Sequence, residues 1–191
     1  MKTISFAVPC YNSANYMEKC VDSLLPCGDD IEIILVNDGS TRDNTAEIAD
    51  RLAEEHPGIV RAIHKENGGS AVNAGLAAAQ GYYYKVVDSD DWLDKNAMDV
   101  IMPYLREQKS RAEELGGNAV GTDMVIGNYV YEKVFENSRT VMRYTNVFPT
   151  DKEFGWSDVG HFRSSQYLLM HSVIYRTQLL CDMDLKLPEH C

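Results

Sequence analysis

Four short, mostly apolar stretches, each followed by a segment with helical periodicity, constrain the fold of this chain more than any other feature. They lie at residues 3–8, 31–36, 59–64 and 82–87. The second is almost wholly apolar, as the central strands of parallel sheets are. Regular alternation of strands with helices predicts an α/β fold with a doubly wound, mainly parallel sheet and right-handed connections.

The segments between these strands predict the helices, at residues 13–24, 43–55, 70–79 and 94–106. Pro9 is expected to end the first strand, because proline lacks a backbone N–H. Asn12 or Ser13 is then expected to cap the first helix. In the second half, the charged residues 108–118 predict a surface excursion. Two later stretches, 123–132 and 140–147, predict antiparallel edge strands.

The composition of the 191 residues narrows the possible partners. A net charge of −11 argues against a nucleic-acid partner, because binding nucleic acid would require a basic face. The same charge allows a phosphate ligand whose charge is neutralised by a metal ion. The five cysteines lack zinc-site spacing, which is typical of reduced thiols in a cytosolic protein. No signal peptide is expected at the N-terminus, and no apolar run approaches the roughly 20 residues of a membrane span.

Three carboxylates, Asp88, Asp90 and Asp91, follow the fourth strand directly in the sequence KVVDSDDW at residues 85–92. Crowded carboxylates raise one another's pKa unless a cation lies among them. Mn²⁺ or Mg²⁺ prefers such oxygen ligands and bridges them to substrate phosphates. The sequence therefore indicates a metal–diphosphate site. The alternative is an acidic turn in which Ser89 or Asp91 caps the next helix.

All four strands end in polar loops, at the edge where α/β sheets bind ligands. Tyr11 offers a ring that can stack on a base, and Asp38 offers a carboxylate that can accept a hydrogen bond from a base N–H. Asn67, Gly68 and Gly69 offer backbone that a ligand can approach closely. The chain has no GxGxxG, GxxxxGK[ST] or GxSxG sequence, which excludes the corresponding dehydrogenases, P-loop enzymes and hydrolases. What remains is a nucleotide held by loop edges and a metal ion.

Five motifs occur in one order in the first half: VPCYN at 8–12, VNDGST at 36–41, KENGG at 65–69, NAGL at 73–76 and DSDDW at 88–92. Together they resemble the family 2 glycosyltransferases of GT-A fold. The second half resembles the acceptor-side region of that family only loosely, through Trp156 and residues 172–187.

This resemblance implies a GT-A nucleotide-diphospho-sugar transferase fold with a small antiparallel acceptor-side subregion. It implies a single domain over residues 1–191, in which 1–107 bind the nucleotide sugar and 108–191 form an incomplete acceptor-side half. The implied reaction is the inverting, metal-dependent transfer of a sugar from a UDP-sugar, or less often another nucleotide sugar. The acceptor would be a hydroxyl of a glycan or lipid-linked molecule in polysaccharide biosynthesis.

The resemblance also implies site residues. Pro9 and Tyr11 match residues that line the base pocket, and Asp38 matches an aspartate that binds uracil. Asp90 and Asp88 match the ligands of Mn²⁺ or Mg²⁺; Asp88 would also contact the ribose or the donor, and Asp91 would support either role. The other donor-binding candidates in these motifs are Asn12, Lys65, Asn67, Gly68, Gly69 and Asn73.

One departure from the family pattern concerns the donor phosphates. Many relatives carry an arginine immediately before the segment that starts here at Asn73, whereas this chain has Val72. Lys65 therefore becomes the candidate for a cation that contacts phosphate.

The other departure concerns the catalytic base. In the family, an acidic residue that serves as the base follows a stretch like Leu187-Pro188-Glu189-His190, and the sequence stops at Cys191. We therefore expect the base beyond Cys191, with Asp158 and Glu189 as fallback candidates, and we assign no catalytic residue.

Two rival functions stay open at this point. A sugar nucleotidyltransferase of related fold would require a glycine- and arginine-rich loop after the first strand, where this chain has residues 9–12 (PCYN). A non-catalytic module would bind a nucleotide sugar and a metal ion without turnover. The expected location is the cytoplasm, with peripheral association at the inner face of the membrane as an option and no membrane span in this segment.

Overall fold

A computed structural model describes residues 1–66, 70–116, 121–133, 136–150, 152–164 and 166–188 of the chain. The chain forms two compact units. The first consists of Met1–Asp123 together with Tyr175–Cys191, and the second is Met124–Ile174. The functional division at residue 107 remains a prediction, because packing alone defines these units.

The sheet confirms the doubly wound, mainly parallel prediction. Its first four strands are β1 (Lys2–Cys10), β2 (Ile31–Asp38), β3 (Val60–Lys65) and β4 (Gly81–Val86), and the later ones are β5 (Met124–Ile126) and β8 (Val173–Arg176). The strand order is β3-β2-β1-β4-β8-β5. Neighbours among β1 to β4 are parallel, whereas β8 pairs antiparallel with β4.

In the described part of the chain, five α-helices accompany the strands: α1 (Met17–Leu24), α2 (Thr45–Glu55), α3 (Ala71–Ala78), α4 (Lys95–Glu114) and α5 (Thr177–Asp182). Residues 31–36 of β2 are all buried, including Glu32, which shows that both faces of this strand are covered. The Glu32 carboxylate is tolerated there because it accepts hydrogen bonds from Ser5 Oγ at 2.5 Å and Arg61 Nη2 at 2.9 Å.

Pro9 does not end the first strand as expected, since β1 continues to Cys10. The pairing of β1 with β4 stops at Ala7, whereas its pairing with β2 includes Pro9 opposite Val36. At Pro9, therefore, only one side of β1 is paired, which is the kind of position where a strand tolerates a missing N–H.

Two helix predictions were wrong at their ends. Helix α1 begins at Met17, after Tyr16, because Asn12 and Ser13 are used in the preceding loop and cap no helix. Helix α4 runs on to Glu114, so the first part of the surface excursion predicted for residues 108–118 is helical instead. Its buried side includes Gln108 and Ala112, which continue the inward face at helical spacing but carry little hydrophobic signal.

The second unit contains the small antiparallel sheet that the sequence predicted. Strands β6 (Tyr129–Lys133) and β7 (Ser138–Met142) pair antiparallel, with Tyr129 opposite Met142. The predicted strand at 123–132 is divided between β5 and β6, and the one at 140–147 is shifted toward the N-terminus. Tyr144, Val147 and Phe148 instead form the buried core of this unit. Among the described residues, no helix combines the length and the hydrophobicity required to cross a membrane.

Candidate functional site

Three loops lie at the carboxyl ends of the parallel strands. They follow β1, β2 and β4, at residues 11–16, 39–44 and 87–94, and we call them the carboxyl edge. Ser13 connects them. Its N–H donates to Thr45 Oγ1 at 2.7 Å, and its buried hydroxyl accepts from Tyr11 N at 3.0 Å and from Ser89 Oγ at 2.8 Å. These bonds hold the three loops in one arrangement without a ligand.

Asn12 joins the loops after β1 and β2 more directly. Its N–H donates to Ser40 Oγ at 2.9 Å, and its side-chain oxygen accepts from the backbone N–H of Thr41 and Arg42 at 3.3 and 3.0 Å. Its backbone has φ +51°, a left-handed conformation that asparagine tolerates better than most residues. The structure thus shows Asn12 shaping the loops; contact with a donor stays a prediction.

Asp38 and Lys65 are the last residues of neighbouring strands and are cross-strand partners. Lys65 Nζ donates to Asp38 Oδ1 and, at 3.0 Å, to the carbonyl oxygen of Glu66. The two side chains are 24% and 21% exposed, so the ion pair is accessible from one side only. The sequence proposed separate roles for these residues, whereas the structure joins them.

The adjacent cross-strand pair, Asn37 and His64, forms a second connection. Asn37 Nδ2 lies 3.1 Å from His64 Nδ1, and His64 Nε2 lies 2.9 Å from Asp50 Oδ1. Because the Asn37 side-chain oxygen accepts from Ser40 N at 3.1 Å, its amide nitrogen faces the imidazole. His64 Nδ1 is therefore the acceptor and Nε2 the donor to Asp50.

Tyr11 follows β1 at the carboxyl edge and is 47% exposed, although its body is apolar. Cys10, the preceding residue, pairs with Asn37, so the chain places Tyr11 next to the end of β2. An exposed ring beside the Asp38 carboxylate suits a flat ligand with polar edges. Pro9 lies within β1 and supports this position through the backbone.

The acidic residues after β4 form a tight turn, in which Asp91 N donates to Asp88 O at 2.9 Å. The turn brings a carboxylate oxygen of Asp88 and one of Asp91 within 4.8 Å of each other, and Asp90 is exposed in the same turn. The capping alternative is wrong, because α4 is capped by Asp94, whose side chain accepts from Ala97 N at 3.0 Å. The three carboxylates are therefore not needed to cap this helix.

Lys85 was missed as a functional residue, although it directly precedes the acidic run. It lies in β4 and is only 5% exposed. Burial lowers the pKa of Lys85 to about 8, while the negative charges of Asp91 and Asp88 oppose that shift. A buried cation near these carboxylates offsets part of their mutual repulsion.

Two buried cysteines near this site, Cys10 and Cys20, carry unreactive thiols. Cys10 and Cys20 are buried free thiols, and Cys20 Sγ donates to the carbonyl oxygen of Asp88 at 3.7 Å. Burial raises the pKa of Cys10 to about 12 and also raises the pKa of Cys20, so both stay protonated. They serve packing, as expected for reduced thiols.

Asn73 lies at the start of α3, where its N–H donates to the capping hydroxyl of Ser70 at 3.2 Å. Its side chain forms two reciprocal bonds with the backbone of Leu187: Nδ2 donates to Leu187 O at 2.8 Å, and Oδ1 accepts from Leu187 N at 2.9 Å. Within the first unit, the stretch expected to precede the catalytic base is thus bonded to α3 through Asn73.

The other predicted residues are less informative. Asn67, Gly68, Gly69 and Glu189 lie outside the described residues. Asp158, in the second unit, is exposed, and its carboxylate accepts from Gly155 N at 3.0 Å, which caps its own turn.

The second unit carries a cleft of about 80 Å³ rich in aromatic side chains. Its lining includes Tyr129, Tyr131 and Tyr167 together with Arg143. Tyr131 and Tyr167 are exposed, and Trp156 of the same unit is 83% exposed. No family motif predicted this surface, because its residues come from short elements without a shared sequence pattern.

An α/β sheet with an exposed tyrosine, an Asp–Lys ion pair and an acidic turn at the carboxyl ends of its strands is an arrangement of the GT-A type. Residues 5–177 match the protein family described as Glycosyl transferase family 2. The chain belongs to this family.

Individual relatives agree with that assignment. Chondroitin synthase of Pasteurella multocida (strain Pm70) is 42% identical over 112 residues, which is 57% of this chain and 11% of that protein. The crystal structure of S. aureus TarS 1–349 is similar with a TM-score of 0.72 and 26% identity, over 100% of this chain and 51% of that chain. The complex of the same TarS fragment with UDP-GlcNAc gives a TM-score of 0.57 and 25% identity, over 99% and 49%. This chain thus spans about a tenth of the synthase and about half of the TarS fragment.

Proposed function

We propose that this chain is the donor-binding part of an inverting, metal-dependent glycosyltransferase that uses a UDP-sugar. The observation that carries the proposal is that Tyr11, the Asp38–Lys65 pair and the Asp88–Asp91 turn lie at the carboxyl ends of four adjacent strands. Family membership supports glycosyl transfer, and the TarS complex with UDP-GlcNAc supports UDP as the nucleotide. The similarity to a chondroitin synthase supports a glycan or lipid-linked acceptor in polysaccharide synthesis.

The base would lie at the ends of β1 and β2. Tyr11 would stack on its face, since an exposed ring loses little hydration and gains a large flat contact. Asp38 would accept a hydrogen bond from a ring N–H. Pro9, Asn12 and the backbone of residues 67–69 would complete the base and ribose pocket.

The acidic turn fits a divalent cation, because it directs carboxylate oxygens of Asp88 and Asp91 into one small volume. Asp88 and Asp90 would hold Mn²⁺ or Mg²⁺, with Asp91 as the supporting ligand. The ion would supply Lewis-acid stabilisation of the charge that develops on the leaving diphosphate. Lys85 would hold the carboxylates in place by neutralising part of their charge from below.

Inversion requires the acceptor hydroxyl to attack from the face opposite the leaving diphosphate, with one base to take its proton. We assign this base to none of the described residues. Residues 108–191 would contribute to acceptor binding, and the enzyme would work in the cytoplasm or at the inner face of the membrane.

Calorimetric binding of UDP, GDP, CDP and dTDP, each with Mn²⁺ and with a chelator, tests this function. We expect UDP to bind most tightly and chelation to remove most of the affinity. Asp90→Ala should abolish the metal-dependent part, whereas Asp99→Asn, an exposed carboxylate paired with Lys95 on α4, should not change it. Equal binding with and without metal would contradict the proposal.

A further inference from the structure

The second unit concentrates aromatic side chains around the cleft that Arg143 helps to line. Nine of the eighteen aromatic residues of the chain lie in residues 124–174. Some of them form the small core of the unit, which includes Tyr144 and Phe148, whereas Tyr131 and Tyr167 are exposed at the cleft. Several large rings exposed at one place on a protein surface indicate a binding site.

The two-stranded sheet explains why two of these rings share one surface. Successive side chains of a strand point to opposite faces, so Tyr129 and Tyr131 of β6 lie on one face together with Met142 of β7. The rings of Tyr129 and Tyr131 meet edge to face at a centroid distance of 5.1 Å. This face lines the cleft, whereas the cross-strand ion pair of Glu132 and Arg139 lies on the opposite face.

Tyr167 also lines the cleft and is held in place through its backbone. Its carbonyl oxygen accepts from the buried Tyr144 hydroxyl at 3.1 Å. The preceding residue, Gln166, donates from Nε2 to Asn146 Oδ1 at 3.0 Å and accepts at Oε1 from Asn146 Nδ2 at 2.9 Å. The backbone of Tyr167 is therefore positioned without a ligand, while its ring stays accessible to one.

Arg143 adds a positive charge to the cleft. In the part of the chain that the structure describes, its guanidinium takes part in no hydrogen bond or ion pair, whereas Arg139 pairs with Glu132. Residues 124–174 contain five Lys and Arg and five Asp and Glu residues, so the net charge of −11 lies in the remainder of the chain. An anion is therefore not repelled by this unit, and a guanidinium matches the two oxygens of a carboxylate.

The rings and the cation together fit a sugar that carries a carboxylate. The faces of a pyranose ring expose C–H bonds with a slight positive charge, which attract the electron-rich face of a tyrosine ring. The cleft, of about 80 Å³, is much smaller than the roughly 300 Å³ of an enclosed small-molecule site. It therefore admits one substituent, such as a carboxylate, while the sugar ring itself lies on the exposed tyrosines.

We propose that this cleft binds an acidic sugar residue of a glycan chain. Tyr131 and Tyr167 contact the faces of the sugar ring, and Arg143 bonds its carboxylate. The assignment rests on the proposed function, because it names the class of acceptor glycan that the enzyme holds. None of the five sequence motifs of the first half supplies a residue of this site.

Calorimetry on the whole chain, without nucleotide or metal ion, tests the proposal. The probe is a hexasaccharide in which glucuronic acid alternates with N-acetylglucosamine, and its matched control is the same hexasaccharide with its carboxylates converted to methyl esters. We expect the acidic form to bind about fivefold tighter than the ester, and added salt to reduce this difference. Equal binding of the two forms, or no binding of the acidic form, would overturn the proposal.

Variants at exposed residues assign the two contacts. Arg143→Gln should remove the preference for the acidic form and leave binding of the ester unchanged. Arg139→Gln is the matched control, because it removes an arginine of β7 from the opposite face of the same sheet. Tyr167→Ala should weaken both forms about tenfold, since it removes a contact with the ring and no charge. Equal losses for Arg143→Gln and Arg139→Gln would contradict the proposal, because they would indicate a general effect of charge.

Two measurements distinguish other occupants of the surface. A poly(glycerol phosphate) oligomer of the same charge contains no sugar ring, so we expect it to bind more weakly than the hexasaccharide. Equally tight binding of the oligomer would refute the role of the tyrosines. If the surface instead covered a second copy of the chain, sedimentation would show a dimer that Tyr167→Ala dissociates, and the proposal would fail.

UDP binding, measured separately on the same protein, distinguishes this inference from the proposed function. UDP binding without hexasaccharide binding would overturn only the inference. Hexasaccharide binding that depends on Arg143, without binding of any nucleoside diphosphate, would support the cleft as a sugar site and overturn only the proposed function.

Discussion

The carboxyl edge of the first unit and the aromatic surface of the second unit are built on different physical principles. At the carboxyl edge, buried polar side chains such as Ser13 and Asn37 connect loops that follow three strands, so the site is formed in advance. In the second unit, a small core centred on Phe148 supports exposed aromatic residues such as Trp156 and Tyr167. Polar hydrogen bonds thus fix the first region, whereas packing around a small core supports the second.

The largest expected effect is a loss of stability in the second unit that leaves nucleotide binding nearly unchanged. Phe148 is buried and stacks with Phe154 at a centroid distance of 5.7 Å, so Phe148→Ala should remove about 3 kcal/mol of stability from this unit. Hydrogen exchange of residues 124–174 would measure the loss. UDP affinity should change less than about threefold, since the residues proposed to bind it lie in the first unit. A parallel loss of UDP binding would show that the two regions are not independent.

The next effect concerns the acidic turn. Asp88→Asn removes one charge from the proposed metal site while keeping the shape of the side chain, and we expect UDP affinity in Mn²⁺ to fall about 100-fold. In chelator, the variant and wild type should bind UDP equally weakly. Asp99→Asn is the matched control. A loss of the same size in chelator would assign Asp88 to the nucleotide and not to the metal.

A smaller effect tests the rigidity of the carboxyl edge. His64→Ala leaves the buried Asn37 amide without the imidazole that accepts from it at 3.1 Å, which should cost about 1 kcal/mol and weaken UDP binding about fivefold. Asp50→Asn removes only the outer partner of the imidazole and should have less effect. Nitrogen NMR of wild type should show His64 with its proton on Nε2. A proton on Nδ1 would refute the hydrogen-bonding order proposed for this network.

The smallest effect on nucleotide binding is expected at Asn73. Asn73→Ala removes both bonds to the Leu187 backbone, so limited proteolysis should cut faster near residue 187. UDP affinity should change less than threefold, because these bonds hold the C-terminal stretch and contact no predicted base-binding residue. Ser70→Ala, which weakens the cap of the same helix, serves as the control. Unchanged proteolysis would mean that other contacts hold this stretch.

The sequence predicted the parts of the site that depend on local pattern. The apolar runs predicted where the strands end. Polar residues come next, and because parallel strands share a direction they lie at one edge of the sheet: Tyr11, Asp38 and Asp88. The acidic run could be placed on a turn after β4, although only the structure showed that Asp94 and not Asp91 caps α4.

Contacts between distant parts of the chain could not be predicted. Ser13 looked like a helix cap, but its hydroxyl bonds to Ser89, 76 residues away, and no local rule contains that partner. Lys85 was given no role from the sequence, because its burial near Asp88 and Asp91 depends on the fold. Lys65 became the candidate for a phosphate contact because Val72 replaces an arginine of many relatives, and no sequence motif showed that the β2–β3 register pairs Lys65 with Asp38.

A crystal structure with UDP and Mn²⁺ bound tests the central claim most directly. We predict uracil stacked on Tyr11 with N3 facing Asp38, and the diphosphate directed toward Asp88 and Asp90. A nucleotide bound away from the carboxyl edge, or with its base turned away from the Asp38–Lys65 pair, would contradict the account.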